Sequence, residues 1–251
     1  RQLLPKYRNL PERLSRYSTV VDQLTLKMRL DSDISLDNFH VRPGTSELMA
    51  AVRGAQAGAF PSFFLWGNEG VGKSHFLQGV SRAAGVDAVY LPLSELLPYP
   101  PEAVLDGLLQ ASLVVVDDVH VATASADWQQ QLFHLFNRLK DTGIAQCYSA
   151  NKAPAGMADM LPDLRSRWSA LPVYQMPAFS EDELGDLLKF RAARRGLKLS
   201  DEVVSYILNR APRSAPPLMQ LLERLDQASL SRSRPITIPL LAELRLWSTD
   251  Q

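Results

Sequence analysis

The spacing of apolar positions changes character along the chain. Between about residue 36 and Pro177, short apolar runs rich in β-branched and aromatic residues alternate with longer segments whose apolar positions recur every three or four residues. The runs at 62–66, 88–91, 113–116, 144–149 and 173–176 read as strands. The segments at 47–56, 73–84, 101–110 and 128–139 read as helices, the last stopped by Gly143. Strands separated by helix-length segments predict an α/β fold: a parallel five-stranded sheet covered on both faces through right-handed crossovers. Beyond Pro177 the strands cease and helical spacing continues over 181–195, 201–210, 218–230 and 239–247. Ser180, followed three residues later by Glu183, has the pattern of a capping box opening the first of these helices. Residues 1–36 are rich in Arg, Pro and Ser and show no sustained apolar period. The division expected is a flexible N-terminal arm (1–36), an α/β core (37–177) and a small C-terminal all-α lid domain (178–251).

Composition narrows this picture only a little. A chain of 251 residues sits near the size at which one core stops growing, in keeping with a large unit and a small satellite. Lys plus Arg equals Asp plus Glu at 27 each, so no global charge draws the chain to nucleic acid and any DNA contact must be local. The sequence has no apolar run long enough to span a bilayer. The single cysteine, Cys147, excludes an intrachain disulfide framework, and the N-terminus lacks the apolar core of a signal peptide. A cytoplasmic setting is expected, with Cys147 a buried, inert thiol in its strand.

The densest chemical signal lies between the first strand and the following helix. Gly67, Asn68, Glu69, Gly70, Val71, Gly72, Lys73 and Ser74 fit G-x-x-x-x-G-K-[ST]. Glycines let the backbone turn its N–H groups toward phosphate oxygens, and the helix N-terminus adds a favourable dipole. Lys73 supplies charge for the β- and γ-phosphates, and the Ser74 hydroxyl is a ligand for Mg²⁺. His75 follows as a further contact. The strand at 113–116 runs into Asp117, the expected Mg²⁺ partner, and Asp118, placed to activate a water. Asp118 is shorter than a Glu, which points to slow or weak hydrolysis. Asn151, after the fourth strand, reads either as a group orienting water at the γ-phosphate or as a turn residue.

Together these motifs, Ser166-Arg167-Trp168 and the helical lid resemble the AAA+ proteins, and within them the DnaA/Hda family. The resemblance runs from about Gln23 to Trp247. It is strongest to the family's regulators of the initiator DnaA, because the chain is expected to stop after the lid without a DNA-binding domain. It implies an adenine nucleotide, ADP or ATP, with Mg²⁺. By resemblance, Phe39 and Val41 lie where relatives pack the adenine, although core packing would use them equally well. Arg167 aligns with the arginine finger that points at a neighbour's nucleotide, with Arg165 a rival. The lid's sensor arginine is replaced by Pro216, leaving Arg213 the nearest candidate and the chain's own hydrolysis in doubt. Gln23, Leu24, Leu26 and Met28 resemble the motif by which replication proteins dock on the β sliding clamp, with Lys27 where relatives often have proline.

The resemblance implies a negative regulator of replication initiation. It would dock on the clamp, touch DNA mainly through it, and stimulate hydrolysis of DnaA-bound ATP, with a homodimer left open. The alternative is an independent AAA+ ATPase such as a helicase loader. A truncated DNA binder lacks a basic surface in this neutral chain, and a small-molecule kinase has no use for Ser166 and Arg167.

Overall fold

The computed structural model describes residues 34–55, 60–212, 214–232 and 236–243. Five strands, β1 (Phe63–Trp66), β2 (Ala88–Pro92), β3 (Leu113–Asp117), β4 (Ala145–Ala150) and β5 (Val173–Gln175), form one sheet in the order β2-β3-β4-β1-β5. Every pairing is parallel, with Phe63 beside Cys147 and Val116 beside Tyr148. Alternate side chains go to opposite faces. Phe64, Val114, Val116 and Tyr148 enter one apolar cluster; Phe63, Leu65, Leu113, Val115 and Cys147 enter the other. Burial on both faces explains why β1 and the first four residues of β3 read as continuous apolar runs. Burial also raises the Cys147 thiol far above its usual range, which keeps it protonated.

Helices α1 (Ser46–Arg53) and α2 (Lys73–Ala84) cover one face through Leu48, Met49, Val52, Phe76, Leu77 and Val80. Helices α3 (Ala126–Asp141) and α4 (Pro162–Ser169) cover the other through Trp128, Leu132, Phe136, Leu164 and Trp168. Helix α3 is opened by Ser125, whose hydroxyl accepts from Trp128 N at 3.3 Å, and it ends with Arg138 and Lys140 against its negative pole.

After β5 come α5 (Glu181–Arg194), α6 (Asp201–Leu208), α7 (Ala215–Arg232) and α8 (Ile238–Glu243). They form the C-terminal helical lid around Leu188, Ile207, Leu218, Leu222 and Leu241. The Ser180–Glu183 capping box is present in both directions, at 3.1 and 2.8 Å. Helix α7 starts three residues before its expected position, because Pro216 and Pro217 sit in its first turn, where no N–H is needed.

Two expectations change. The helix expected over 101–110 is a single turn, Pro101–Val104, followed by a 3₁₀ turn, Leu108–Gln110. Gly107, at φ 76°, breaks the helix and lets Leu105 and Leu108 turn into the core. Helix α4 was not expected from the pattern. Among the described residues no helix is long and apolar enough to cross a membrane.

Candidate functional site

The loop from Gly67 to Gly72 joins β1 to α2 at the carboxyl edge of the sheet, where open α/β folds place their ligands. Its first glycine is fixed by packing: Gly67 N donates to Ala150 O at 3.2 Å, and a Cβ at that position would lie 2.3 Å from Met176 O. Gly70 and Gly72 have φ of 75° and 102°, a region open to glycine at little cost. The Lys73 ammonium folds back over the loop and donates to Gly67 O at 2.9 Å and Asn68 O at 3.0 Å.

A cavity of about 410 Å³ opens over this loop. Gly70, Val71, Gly72, Lys73, Ser74 and His75 line its floor, with Asp118 beside them. Phe39 lines it from the N-terminal segment, where its ring packs on Phe76 edge-on at 5.1 Å. The lid closes it with Leu187, Arg191, Pro216 and Met219. Pro216 stands directly over the loop: a Cβ on Gly70 would lie 2.8 Å from its Cδ.

The acids at the end of β3 have different surroundings. Asp117 is 2% exposed. Its carboxylate accepts from Tyr90 Oη at 2.6 Å, from the Ser149 hydroxyl, and from Asp118 N at 3.2 Å. Burial and the Asp117 charge push the Tyr90 phenol well above the usual tyrosine range, so it stays a donor. Asp118 is the one non-glycine residue at positive φ among those described, 57°, and this bend brings its side chain to the cavity wall. Burial first, then Asp117, raise its carboxyl above the usual range. Burial lowers the neighbouring His120, 3.9 Å away, toward its neutral form.

The sequence-derived candidates therefore separate. Phe39, Gly70, Val71, Gly72, Lys73, Ser74, His75 and Asp118 meet at one cavity. Gly67 and Asn68 shape the loop through their carbonyls instead. Asp117 lies behind the wall in its own hydrogen bonds. Val41 is 40% exposed and outside the wall, so the adenine-side expectation fits Phe39 alone. Asn151 is exposed on the bend after β4 and does not line the cavity. Ser149 is the β4 residue that touches both acids, since Asp118 N also donates to its hydroxyl at 2.9 Å. Arg213, and the clamp-motif positions Gln23, Leu24, Leu26 and Met28, lie outside the described residues.

Arg167 is exposed near the end of α4. It lines a second cavity of about 250 Å³ with Ser62, Lys140, Gly143 and Gln146, at the starts of β1 and β4. That is the opposite edge of the sheet from the loop. Its guanidinium lies 5.9 Å from the Phe133 ring centroid. Arg165, half-buried, instead reaches back to Met157 O at 3.5 Å. Sequence reasoning missed Tyr90, Ser149, Arg42 and Arg191. The signal that would have found Ser149 is strand register, which sets it beside Asp117.

A parallel sheet in this order, a glycine loop ending in Lys73 and Ser74, paired acids at the end of β3, one strand removed from β1 across β4, and a helical lid define an AAA+ P-loop domain. Comparison with known sequences narrows the class. Residues 181–244 match the family described as Hda, lid domain, and residues 103–171 match the bacterial DnaA ATPase domain. An uncharacterized protein of Haemophilus influenzae is 33% identical over 226 residues, covering 88% of this chain and 97% of its own. The chain belongs to the DnaA/Hda family. Solved structures agree on the fold. Domain III of DnaA from Thermotoga maritima superposes with a TM-score of 0.72 at 21% identity, covering 86% of this chain and 97% of that one. AMPPCP-bound DnaA from Aquifex aeolicus gives 0.66 at 20%, covering 80% and 67%.

Proposed function

We propose that this chain is a nucleotide-bound adaptor that restrains replication initiation by stimulating hydrolysis of ATP held by DnaA. The observation that carries the reading is the position of Arg167: exposed, outside the wall of the chain's own loop cavity, and at the opposite edge of the sheet. A guanidinium so placed serves a nucleotide on another molecule, where it offsets charge developing on the γ-phosphate, an effect of roughly 10³ to 10⁵ in rate for GTPases. Membership of a family whose structures include AMPPCP-bound DnaA supports an adenine nucleotide as the ligand.

The chain's own residues fit a bound nucleotide. The loop amides and Lys73 would hold its phosphates, and Phe39 would pack against its base. Mg²⁺ would neutralise phosphate charge. The Ser74 hydroxyl and the Asp117 carboxylate are the hard oxygen donors that this ion takes. Because Tyr90, Ser149 and Asp118 N already occupy the Asp117 oxygens, that acid suits a contact through metal-bound water. Pro216 over the loop brings no cation where an arginine would assist hydrolysis. The nucleotide, ADP above all, then acts as a structural ligand, and intrinsic turnover is weak. His75, Asp118 and Asn151 have at most a supporting part.

The hexamer Gln23-Leu24-Thr25-Leu26-Lys27-Met28 supports docking on the β sliding clamp, with alternate side chains filling a polar and an apolar subsite. Docking would bring the chain to DNA through the clamp. The test is hydrolysis of DnaA-bound ATP with DNA-loaded clamp, comparing the chain with its Arg167→Ala and Gln23→Ala variants. Stimulation by the chain and by neither variant supports the reading. A parent chain without effect on DnaA-bound ATP overturns the reading, and robust ATP turnover of its own then makes it an independent ATPase.

A further inference from the structure

Arg42 is the most heavily engaged buried cation among the described residues, yet the catalytic scheme above gives it no part. Its side chain is 1% exposed. Its backbone is pinned from both sides by Thr45, whose hydroxyl accepts from Arg42 N at 3.1 Å and donates to Arg42 O at 3.0 Å. That fixes the direction in which the guanidinium leaves the chain. One nitrogen, Nη2, donates to Pro177 O at 2.6 Å and to Val71 O at 3.3 Å. The other, Nη1, donates to Ala178 O at 3.2 Å and lies 3.5 Å from Glu183 Oε2. Its face stacks on the Phe179 ring at 3.9 Å. One side chain thus touches the phosphate loop, the segment leading out of the sheet, and the first turn of the lid.

Two features give these contacts direction. Val71 O and Gly72 N–H belong to one peptide unit, and no cis peptide occurs among the described residues. In a trans unit the two groups point opposite ways. A cation donating to Val71 O therefore turns the Gly72 N–H away from itself, on a residue that lines the cavity, and polarises it as a donor. Glu183 is in turn the capping-box acid of α5, bound to Ser180 N at 2.8 Å, so its contact with Arg42 fixes the entry angle of the lid. The packing around it is tight: a Cβ on Gly44 would lie 2.4 Å from Pro177 Cγ.

We propose that Arg42 is a positioning residue that couples the phosphate loop to the lid, aiming the Gly72 amide at bound phosphate and holding α5 through Glu183. The proposal rests on the loop holding a nucleotide. A phosphate that draws on the Gly72 N–H strengthens the Arg42–Val71 contact, and by linkage a lid held in place strengthens phosphate binding.

The test uses the full chain with Arg42→Lys, which keeps the charge but loses the fork, and Glu183→Gln, which keeps the cap's shape. Affinity for ADP is measured by titration. Lid position is measured as the distance distribution between spin labels at Ser112→Cys and Ser205→Cys, both exposed sites, with buried Cys147 silent. In the parent chain ADP narrows the distribution. Arg42→Lys weakens ADP binding about tenfold or more, as expected when charge-assisted hydrogen bonds to Val71 O and Pro177 O are lost, and its distribution stays broad. Glu183→Gln keeps ADP affinity within about threefold, as for a modest ion pair, yet its distribution also stays broad. Arg42→Lys that binds ADP like its parent, or a parent distribution that ADP does not narrow, overturns the proposal. If the parent chain binds ADP and only the variants fail to differ from it, the nucleotide reading survives. If the parent does not bind ADP, both fall.

Discussion

Replacing Gly67 with alanine puts a methyl group 2.3 Å from Met176 O and 3.2 Å from Val71 Cγ2. Carbon and carbonyl oxygen approach to about 3.3 Å at closest, so the two segments must part by about 1 Å. Neither is free to do so. Gly67 N is bonded to Ala150 O at 3.2 Å, and Met176 N to Trp66 O at 2.7 Å, so separation strains the ladder at both edges of β1. Overpacking costs about 1–3 kcal/mol. Weakening one of those bonds adds about 1 kcal/mol. A total of about 2–4 kcal/mol corresponds to a melting point lower by about 5–15 °C in a chain of this size. Because the displaced backbone is the loop itself, ADP affinity falls too. The control is Gly107→Ala: its backbone is left-handed, at φ 76° and ψ −5°, and nothing lies within 4 Å of an added Cβ. It bears only the left-handed backbone penalty of about 1–2 kcal/mol and binds ADP normally. Urea melts and ADP titrations of the two variants decide the matter. A Gly67→Ala protein within about 0.5 kcal/mol of its parent, with unchanged ADP affinity, would refute the steric reasoning.

Tyr90→Phe removes a donor from buried Asp117 and destabilises the fold by about 1–3 kcal/mol, read by chemical denaturation. An unchanged midpoint would mean that Ser149 and Asp118 N satisfy the acid alone. Asp118 has a carboxyl raised in the folded state, so its folding contribution is complete below the ordinary Asp value of about 3.9 and is lost as pH climbs through the raised value. Asp118→Asn therefore stabilises the chain at pH 7, and its advantage shrinks as pH falls toward 4. Melting curves across that range that run parallel would contradict the assignment. Trp168→Ala, fully buried against Phe64 and Tyr148, costs about 3–5 kcal/mol, while Arg167→Ala, one residue away and exposed, stays within about 0.5 kcal/mol. The contrast is read from urea midpoints, and equal losses would remove Arg167 from the free surface.

The phosphate loop was legible because its residues are contiguous: one glycine pattern between a strand and a helix sets both the turn and the cation. Strand β3 was legible because burial on both faces leaves an unbroken apolar run, 113–116, before Asp117. Helix α4 was not. With Pro162 at its start, only Leu164 and Trp168 are buried, too few to show a period. The surroundings of Asp117 were equally hidden. Tyr90 and Ser149 lie 27 and 32 residues from it, and only the β2-β3-β4 register brings them together. Arg42 carries no local signal, because its partners are backbone carbonyls from segments brought together by the fold. Family resemblance singled out Arg167, but its separation from the chain's own cavity is a property of the sheet's two edges.

The decisive measurement is single-turnover decay of ATP pre-bound to DnaA after mixing with clamp-loaded chain, comparing the parent with Arg167→Lys and Arg167→Ala. A guanidinium acting in trans predicts rapid decay with the parent and a loss of roughly 10³-fold or more with Arg167→Ala, with Arg167→Lys recovering only part of it. Equal decay with all three proteins would contradict a working role for Arg167 and leave the chain's effect on DnaA to some other contact.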